Sequence, residues 1–95
     1  MAAKVVISPT AQRDLLDIID FIAADNPARA LSFVGELEQR ARGQLATFPK
    51  GGRAYKNRLR FIVIERYVVV YDFDEAANLV AIHHVHGAGE NWRAE

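Results

Sequence analysis

The chain has 95 residues, and its twelve basic and twelve acidic side chains give a formal net charge of zero. This length supports one hydrophobic core, so we predict a single domain over residues 1–95. The absence of cysteine excludes disulfides and thiolate metal sites. The sequence contains no signal-peptide pattern and no apolar run near the ~20 residues of a membrane span. We therefore expect a cytoplasmic protein that does not associate with membranes.

A short strand and a helix are predicted at the start of the chain. Lys4–Ile7 is a β-branched run typical of a strand. Ser8 followed by Pro9 combines a capping hydroxyl with the proline favoured at the first helical position. The buried side of this helix is assigned to apolar residues at helical spacing, namely Ala11, Leu15, Ile18, Ile19 and Ile22. The solvated side is assigned to three aspartates, namely Asp14, Asp17 and Asp20. The helix should end near residue 24 or 25.

A second helix is predicted from the same kind of start signal at Asn26-Pro27. Its buried side is assigned to Ala30, Val34, Leu37, Ala41 and Leu45. Phe48-Pro49 ends the helical pattern, and Gly51-Gly52 predicts a loop. Since the join between the helices is very short, they should form an antiparallel hairpin.

Three strands are predicted in the second half, at Phe61–Ile64, Tyr67–Tyr71 and Leu79–Val85. Tyr67–Tyr71 is apolar or aromatic on both faces, so it should be the central strand. The element order is then β-α-α-β-β-β. We predict an α+β fold in which a helical hairpin packs on a small, mostly antiparallel sheet.

Charge is unevenly distributed along this neutral chain. Residues 49–71 carry a net charge of +5, against −1 for residues 1–48 and −4 for residues 72–95. The basic residues of the middle segment are Lys50, Arg53, Lys56, Arg58, Arg60 and Arg66. Aromatic residues lie among them, and arginine with aromatic rings can hold phosphates and stack on bases. The segment is the best candidate binding surface, and a solvated basic loop is the alternative.

Three histidines near the end of the last strand are a second candidate group. Alternation along a strand places His84 and His86 on one face and His83 on the other. A zinc site needs a third protein ligand, so we predict no metal site. Proton transfer, phosphate contact and a simple sheet-edge position remain open for His84 and His86.

Motifs along nearly the whole chain resemble the RelE/ParE superfamily of type II toxin–antitoxin toxins, and the ParE branch more closely. They are Ser8-Pro9-x-Ala11-x-x-Asp14-Leu15, Asp25-Asn26-Pro27, Leu45-x-x-Phe48-Pro49 with Gly52-Arg53, Arg66-Tyr67-x-x-x-Tyr71 and Val85-His86-Gly87. The resemblance implies the fold predicted above. It also implies a cognate ParD-like antitoxin, either a homodimer or a toxin–antitoxin hetero-oligomer, and no cofactor.

The resemblance implies two competing activities. ParE-like toxins poison DNA gyrase by binding, whereas RelE-like toxins cut mRNA on the ribosome. For gyrase, the expected target-binding residues are Arg53, Lys56, Arg58, Arg60, Arg66, His86 and Trp92. For RNA cleavage, the candidates are Lys56, Arg58, Arg60, Arg66, His84 and His86. Because no tyrosine follows Tyr71 to act as a C-terminal acid/base, the gyrase interpretation is favoured and no residue is assigned as catalytic with certainty.

The C-terminal tail departs from the family pattern. The run His86-Gly87-Ala88-Gly89 has glycine where ParE-like chains often have arginine. This departure supports a third hypothesis, a toxin fold that has lost toxicity and serves only in antitoxin binding or regulation.

Overall fold

The computed structural model describes residues 1–87, in which two helices pack on one face of a five-stranded sheet. The elements are β1 (Lys4–Ile7), α1 (Pro9–Ala23), α2 (Pro27–Thr47), β2 (Arg53–Ala54), β3 (Arg60–Ile64), β4 (Tyr67–Asp74) and β5 (Leu79–Gly87). The strand order is β1-β5-β4-β3-β2, with β1 parallel to β5 and the other pairs antiparallel. The predicted α+β fold is confirmed, and the two-residue β2 is an addition to it.

Both helices begin at the predicted caps. The Ser8 hydroxyl accepts a hydrogen bond from the Ala11 N–H at 3.1 Å, and the Asn26 side-chain oxygen accepts one from the Arg29 N–H at 3.2 Å. Each cap satisfies an N–H that lacks a partner within its helix. Neither helix is long and apolar enough to cross a membrane, within the residues that the structure describes.

The core lies between the hairpin and the sheet. All five predicted positions of α2 are buried, whereas in α1 only Ala11 and Leu15 are buried and the three isoleucines are half-buried. β4 is the central strand, as predicted. Val69 and Tyr71 point to the helices, and Val68 and Val70 join a second cluster on the opposite side of the sheet, called here the outer face.

A β-bulge in β5 overturns the predicted placement of His83. Val70 pairs with His84 and Tyr71 pairs with Ile82, so His83 is an extra residue in the ladder. A bulge breaks strict alternation, and the Asp72 carboxylate on the outer face accepts a hydrogen bond from His83 Nε2 at 2.8 Å. The expectation that His83 faces away from the other two histidines is therefore wrong. All three lie on the outer face.

Candidate functional site

Three exposed cations gather where β2 leads through a tight turn into β3. They are Arg53, Lys56 and Arg58, called here the basic corner. The Leu59 N–H donates to the Lys56 carbonyl at 3.0 Å, which closes the turn. Asn57 has a φ of 56°, a left-handed conformation that asparagine adopts more readily than most residues. The turn therefore projects the cations of the basic corner from one end of the sheet.

Aromatic rings lie beside the basic corner. Tyr55 and Phe61 meet edge to face with ring centroids 6.4 Å apart, and Lys56 Nζ lies 5.3 Å from the Tyr55 ring centroid. The second distance fits a cation–π contact. A depression of about 510 Å³ is lined by Arg53 and Ala54 together with these three residues. Its charge and rings suit an anionic, partly aromatic surface.

Two of the predicted site residues lie elsewhere. Arg60 is half-buried and donates to the carbonyls of Lys50 at 3.3 Å and Gly52 at 3.1 Å, so it holds the loop before β2. Arg66 is exposed in the turn after β3, beyond the far end of that strand, and the strand alone spans ~14 Å from Arg60 to Ile64 at a rise of about 3.4 Å per residue. The predicted basic set is thus divided among three places.

The two predicted histidines lie together on β5. The rings of His84 and His86 stack with centroids 5.2 Å apart, and His84 Nδ1 lies 3.5 Å from Asp14 Oδ2. Their shared face was predicted correctly. Among residues 1–87, no group of three or more histidine, aspartate or glutamate side chains is arranged to hold a metal ion.

An apolar strip separates these histidines from the basic corner. His84 pairs with Val70, Val70 with Phe61, and Phe61 with Arg53, which makes one row across four strands. Three strand spacings amount to ~14 Å. Val70 and Phe61 lie between His84 and Arg53 in this row, so these two residues do not form a compact catalytic set.

Asp14 has a role that the sequence pattern did not indicate. β1 ends at Ile7 opposite Ile82, whereas β5 continues to Gly87. α1 follows the exposed edge of β5, and the Asp14 carboxylate accepts a hydrogen bond from the Val85 N–H at 3.0 Å. With 21% of its side chain exposed, Asp14 caps a strand edge, so its assignment to the solvated side was wrong.

A groove lies between α1 and this edge of β5, and sequence reasoning missed it. It has a volume of about 480 Å³ and is called here the α1–β5 groove. Its lining consists of Asp14, Asp17, Ile18, Phe21, Tyr67, Val85, His86 and Gly87. The α1 residues follow i, i+3, i+4 and i+7 spacing, which defines one helix face. That spacing was the available signal, but it does not show what faces the helix.

We expect Asp14→Ala to lower the free energy of unfolding by about 1–2 kcal/mol, because the Val85 N–H loses its acceptor. Asp14→Asn keeps an amide oxygen at the same place and should recover much of this loss. The measurement is urea unfolding followed by far-UV circular dichroism. Asp17→Ala, on the exposed part of α1, is the control and should stay within about 0.5 kcal/mol of wild type. Equal stability of Asp14→Ala and wild type would contradict the capping role.

Trp92, the remaining predicted target-binding residue, lies outside the described residues, as does Gly89. No contact is therefore assigned to either. The candidate site within residues 1–87 consists of the basic corner, the histidine pair and the α1–β5 groove.

Comparison with known proteins identifies the family. The family described as "ParE toxin of type II toxin-antitoxin system, parDE" matches residues 5–92. The RelBE2 toxin–antitoxin complex of Mycobacterium tuberculosis contains a similar structure, with a TM-score of 0.72, 21% identity, and coverage of 92% of this chain and 99% of that chain. The chromosomal ParDE system of P. aeruginosa gives a TM-score of 0.76, 15% identity, and coverage of 90% and 96%. None of the curated protein sequences matches significantly. The chain belongs to the ParE toxin family of type II toxin–antitoxin systems.

Proposed function

We propose that this toxin acts in the cytoplasm by binding DNA gyrase and blocking replication, and that a ParD-like antitoxin neutralises it. The family match supports the toxin role and the antitoxin partner. The choice of gyrase rests on the sequence resemblance to the ParE branch and on the arrangement of the candidate site.

The separation of the histidines from the basic corner is the observation that favours a binding mechanism over catalysis. A general acid or base must lie within hydrogen-bond reach of the proton that it moves, about 2.6–3.2 Å. His84 and Arg53 are opposite ends of a four-strand row. Arg60, a third candidate, is engaged with loop carbonyls. The candidate groups for proton transfer and for phosphate neutralisation are therefore not neighbours in the sheet, which supports binding over catalysis.

The helical hairpin supports a protein target. Leu16, Phe21 and Leu31 are 61%, 78% and 71% exposed. Large apolar side chains that are exposed to water are candidates for burial by a protein partner. A partner that covers the hairpin would remove these side chains from water.

The direct test mixes the purified toxin with gyrase, ATP and plasmid. We expect linear, gyrase-linked DNA to accumulate. Changing all three basic-corner residues to glutamine should raise the toxin concentration needed for half-maximal linear DNA by about tenfold or more. The reason is that electrostatic steering can raise association rates by about 10- to 10³-fold. The matched control changes Lys4, Arg13 and Arg29, which are also exposed cations, and should leave the activity near wild type. Failure of the wild-type toxin to produce linear DNA would reject gyrase as the target.

Ribosome-dependent mRNA cleavage is the second candidate function. The observation that favours it is the position of His84 and His86 on the same outer face as Phe61 and Arg53. It predicts cleaved transcripts after toxin induction, and less cleavage with His86→Gln. Intact transcripts would exclude it. Normal growth on expression without antitoxin would instead support a fold that has lost toxicity.

A further inference from the structure

We infer that Arg60 and Tyr71 form a clamp that positions Arg53 of the basic corner and that neither clamp residue contacts the target. The two residues are direct cross-strand partners on β3 and β4. The inference rests on the proposed function, in which the basic corner contacts the target. It gives Arg60, a predicted target-binding residue, a positioning role, and it gives Tyr71 a role beyond the core.

The clamp holds the loop before β2 by its backbone. Arg60 Nη1 donates to the carbonyls of Lys50 at 3.3 Å and Gly52 at 3.1 Å. The Tyr71 hydroxyl donates to the Pro49 carbonyl at 2.9 Å and accepts from the Gly52 N–H at 2.9 Å. Gly52 is therefore held at both its N–H and its C=O, each by a different strand of the sheet.

The loop lies close against the sheet at Gly52. A β-carbon there would lie 2.9 Å from the Phe61 carbonyl oxygen and 2.8 Å from Tyr71 Cε1, so the loop backbone has little room to shift toward the sheet. Arg53 is the next residue along the chain and pairs with Phe61. The position of Gly52 therefore sets where the Arg53 side chain leaves the backbone.

The clamp and Arg53 lie on opposite faces of the sheet. Tyr71 is fully buried in the core cluster under the helices, and Arg60 is its cross-strand partner. Arg53 pairs with Phe61, which belongs to the cluster on the outer face. Directly opposite residues share one face of a sheet, so Arg60 lies on the helix side. A target bound on the outer face meets Arg53 without reaching the clamp.

The gyrase cleavage assay tests the clamp with a substitution that changes no charge. Tyr71→Phe removes both hydroxyl bonds to the loop. We expect it to raise the toxin concentration for half-maximal linear DNA by about threefold, one cation's share of the steering by three. Val34→Ala is the matched control, because it truncates a buried side chain of α2 and lowers stability without touching the loop. It should stay near wild type. Far-UV circular dichroism establishes that each variant is folded.

A double-mutant cycle tests whether Tyr71 acts through Arg53. Arg53→Gln alone should raise the half-maximal concentration by a similar factor of about threefold. Adding Tyr71→Phe to Arg53→Gln should then have little further effect, because the clamp has no arginine left to position. Two independent residues would instead multiply their effects to about ninefold.

Arg60→Lys separates the hydrogen bonds of Arg60 from its charge. Lysine keeps the positive charge but lacks the planar guanidinium, whose Nη1 donates to both loop carbonyls. We therefore expect the same loss of about threefold as in Tyr71→Phe. Hydrogen exchange gives a readout that does not depend on gyrase. The Gly52 and Arg53 amide protons should exchange faster in both clamp variants than in Val34→Ala.

Several results would overturn the inference. Wild-type cleavage activity in Tyr71→Phe or Arg60→Lys would remove that residue from the clamp. Multiplied losses in the double variant would show that Tyr71 does not act through Arg53. An equal loss in Val34→Ala would assign the effect to stability. If wild-type toxin yields no linear DNA, gyrase is rejected as the target before any variant is made. Hydrogen exchange then decides on the clamp, and unchanged exchange at Gly52 and Arg53 would overturn it.

Discussion

Gly52→Ala is expected to lower the free energy of unfolding by about 2–4 kcal/mol, since overpacking of a buried site with rigid neighbours is among the costly substitutions. A β-carbon at this position would lie 2.8 Å from Tyr71 Cε1 and 2.9 Å from the Phe61 carbonyl oxygen, and closer still to the Tyr71 hydroxyl. Tyr71 is fully buried and the carbonyl belongs to β3. Neither can move aside without disturbing the core or the sheet.

The matched control is Gly35→Ala in the exposed part of α2. A β-carbon there meets nothing within 4 Å. Alanine in a helix interior raises the free energy of unfolding by about 0.5–1 kcal/mol relative to glycine. The same chemical change should therefore stabilise at position 35 and destabilise at position 52. Urea unfolding of both variants gives the comparison. Equal midpoints for Gly52→Ala and wild type would show that the loop adapts at no cost.

The loop around Gly52 also positions the basic corner. Arg60 holds the loop from β3 through the Lys50 and Gly52 carbonyls, and Arg53 is the next residue along the chain. A loop displaced by Gly52→Ala would move Arg53 with it. Gly52 is therefore expected to affect target binding through the position of Arg53, although glycine has no side chain that could contact a partner.

Local chemistry explains why much of the fold was predictable. The two helix starts depend on Ser8 and Asn26 and on the prolines that follow them, and each cap bond spans only three residues. The buried stripe of α2 depends on helical spacing alone. The central position of β4 followed from its two apolar faces. Each of these signals is complete within a short segment.

The unpredicted parts of the candidate site depend on distant partners. The hydrogen bond between Asp14 and Val85 joins residues 71 apart in sequence, and nothing within α1 distinguishes Asp14 from the other aspartates. The β5 bulge moves His83 to the outer face by a single extra residue in the ladder. Arg60 looks like its basic neighbours in the sequence, yet its partners are loop carbonyls. The α1–β5 groove exists only because a helix lies along a strand edge.

Tyr71→Phe is the second substitution expected to have a large effect on stability. The Tyr71 hydroxyl donates to the Pro49 carbonyl at 2.9 Å and accepts from the Gly52 N–H at 2.9 Å. Removal of the hydroxyl leaves a buried donor and an acceptor without this partner, at a cost of about 1–3 kcal/mol for a buried unsatisfied group. We expect a lower urea midpoint with an unchanged denaturant slope. Tyr55→Phe, at a half-buried tyrosine, is the control and should be closer to wild type.

The pH dependence of this stability difference tests whether the fold holds the Tyr71 phenol in its neutral form. Burial raises the pKa of Tyr71, and this effect outweighs the opposing influences of the Gly52 hydrogen bond and the Arg60 charge. Because the folded-state pKa is raised, the stability contributed by the neutral phenol is complete below the unfolded-state pKa of about 10. It is then lost at up to about 1.4 kcal/mol per pH unit as the pH rises toward the folded-state value. The stability gap between wild type and Tyr71→Phe should therefore be constant near neutral pH and narrow above pH ~10. A gap that stays constant across that range would show that the phenol is not held in its neutral form by the fold.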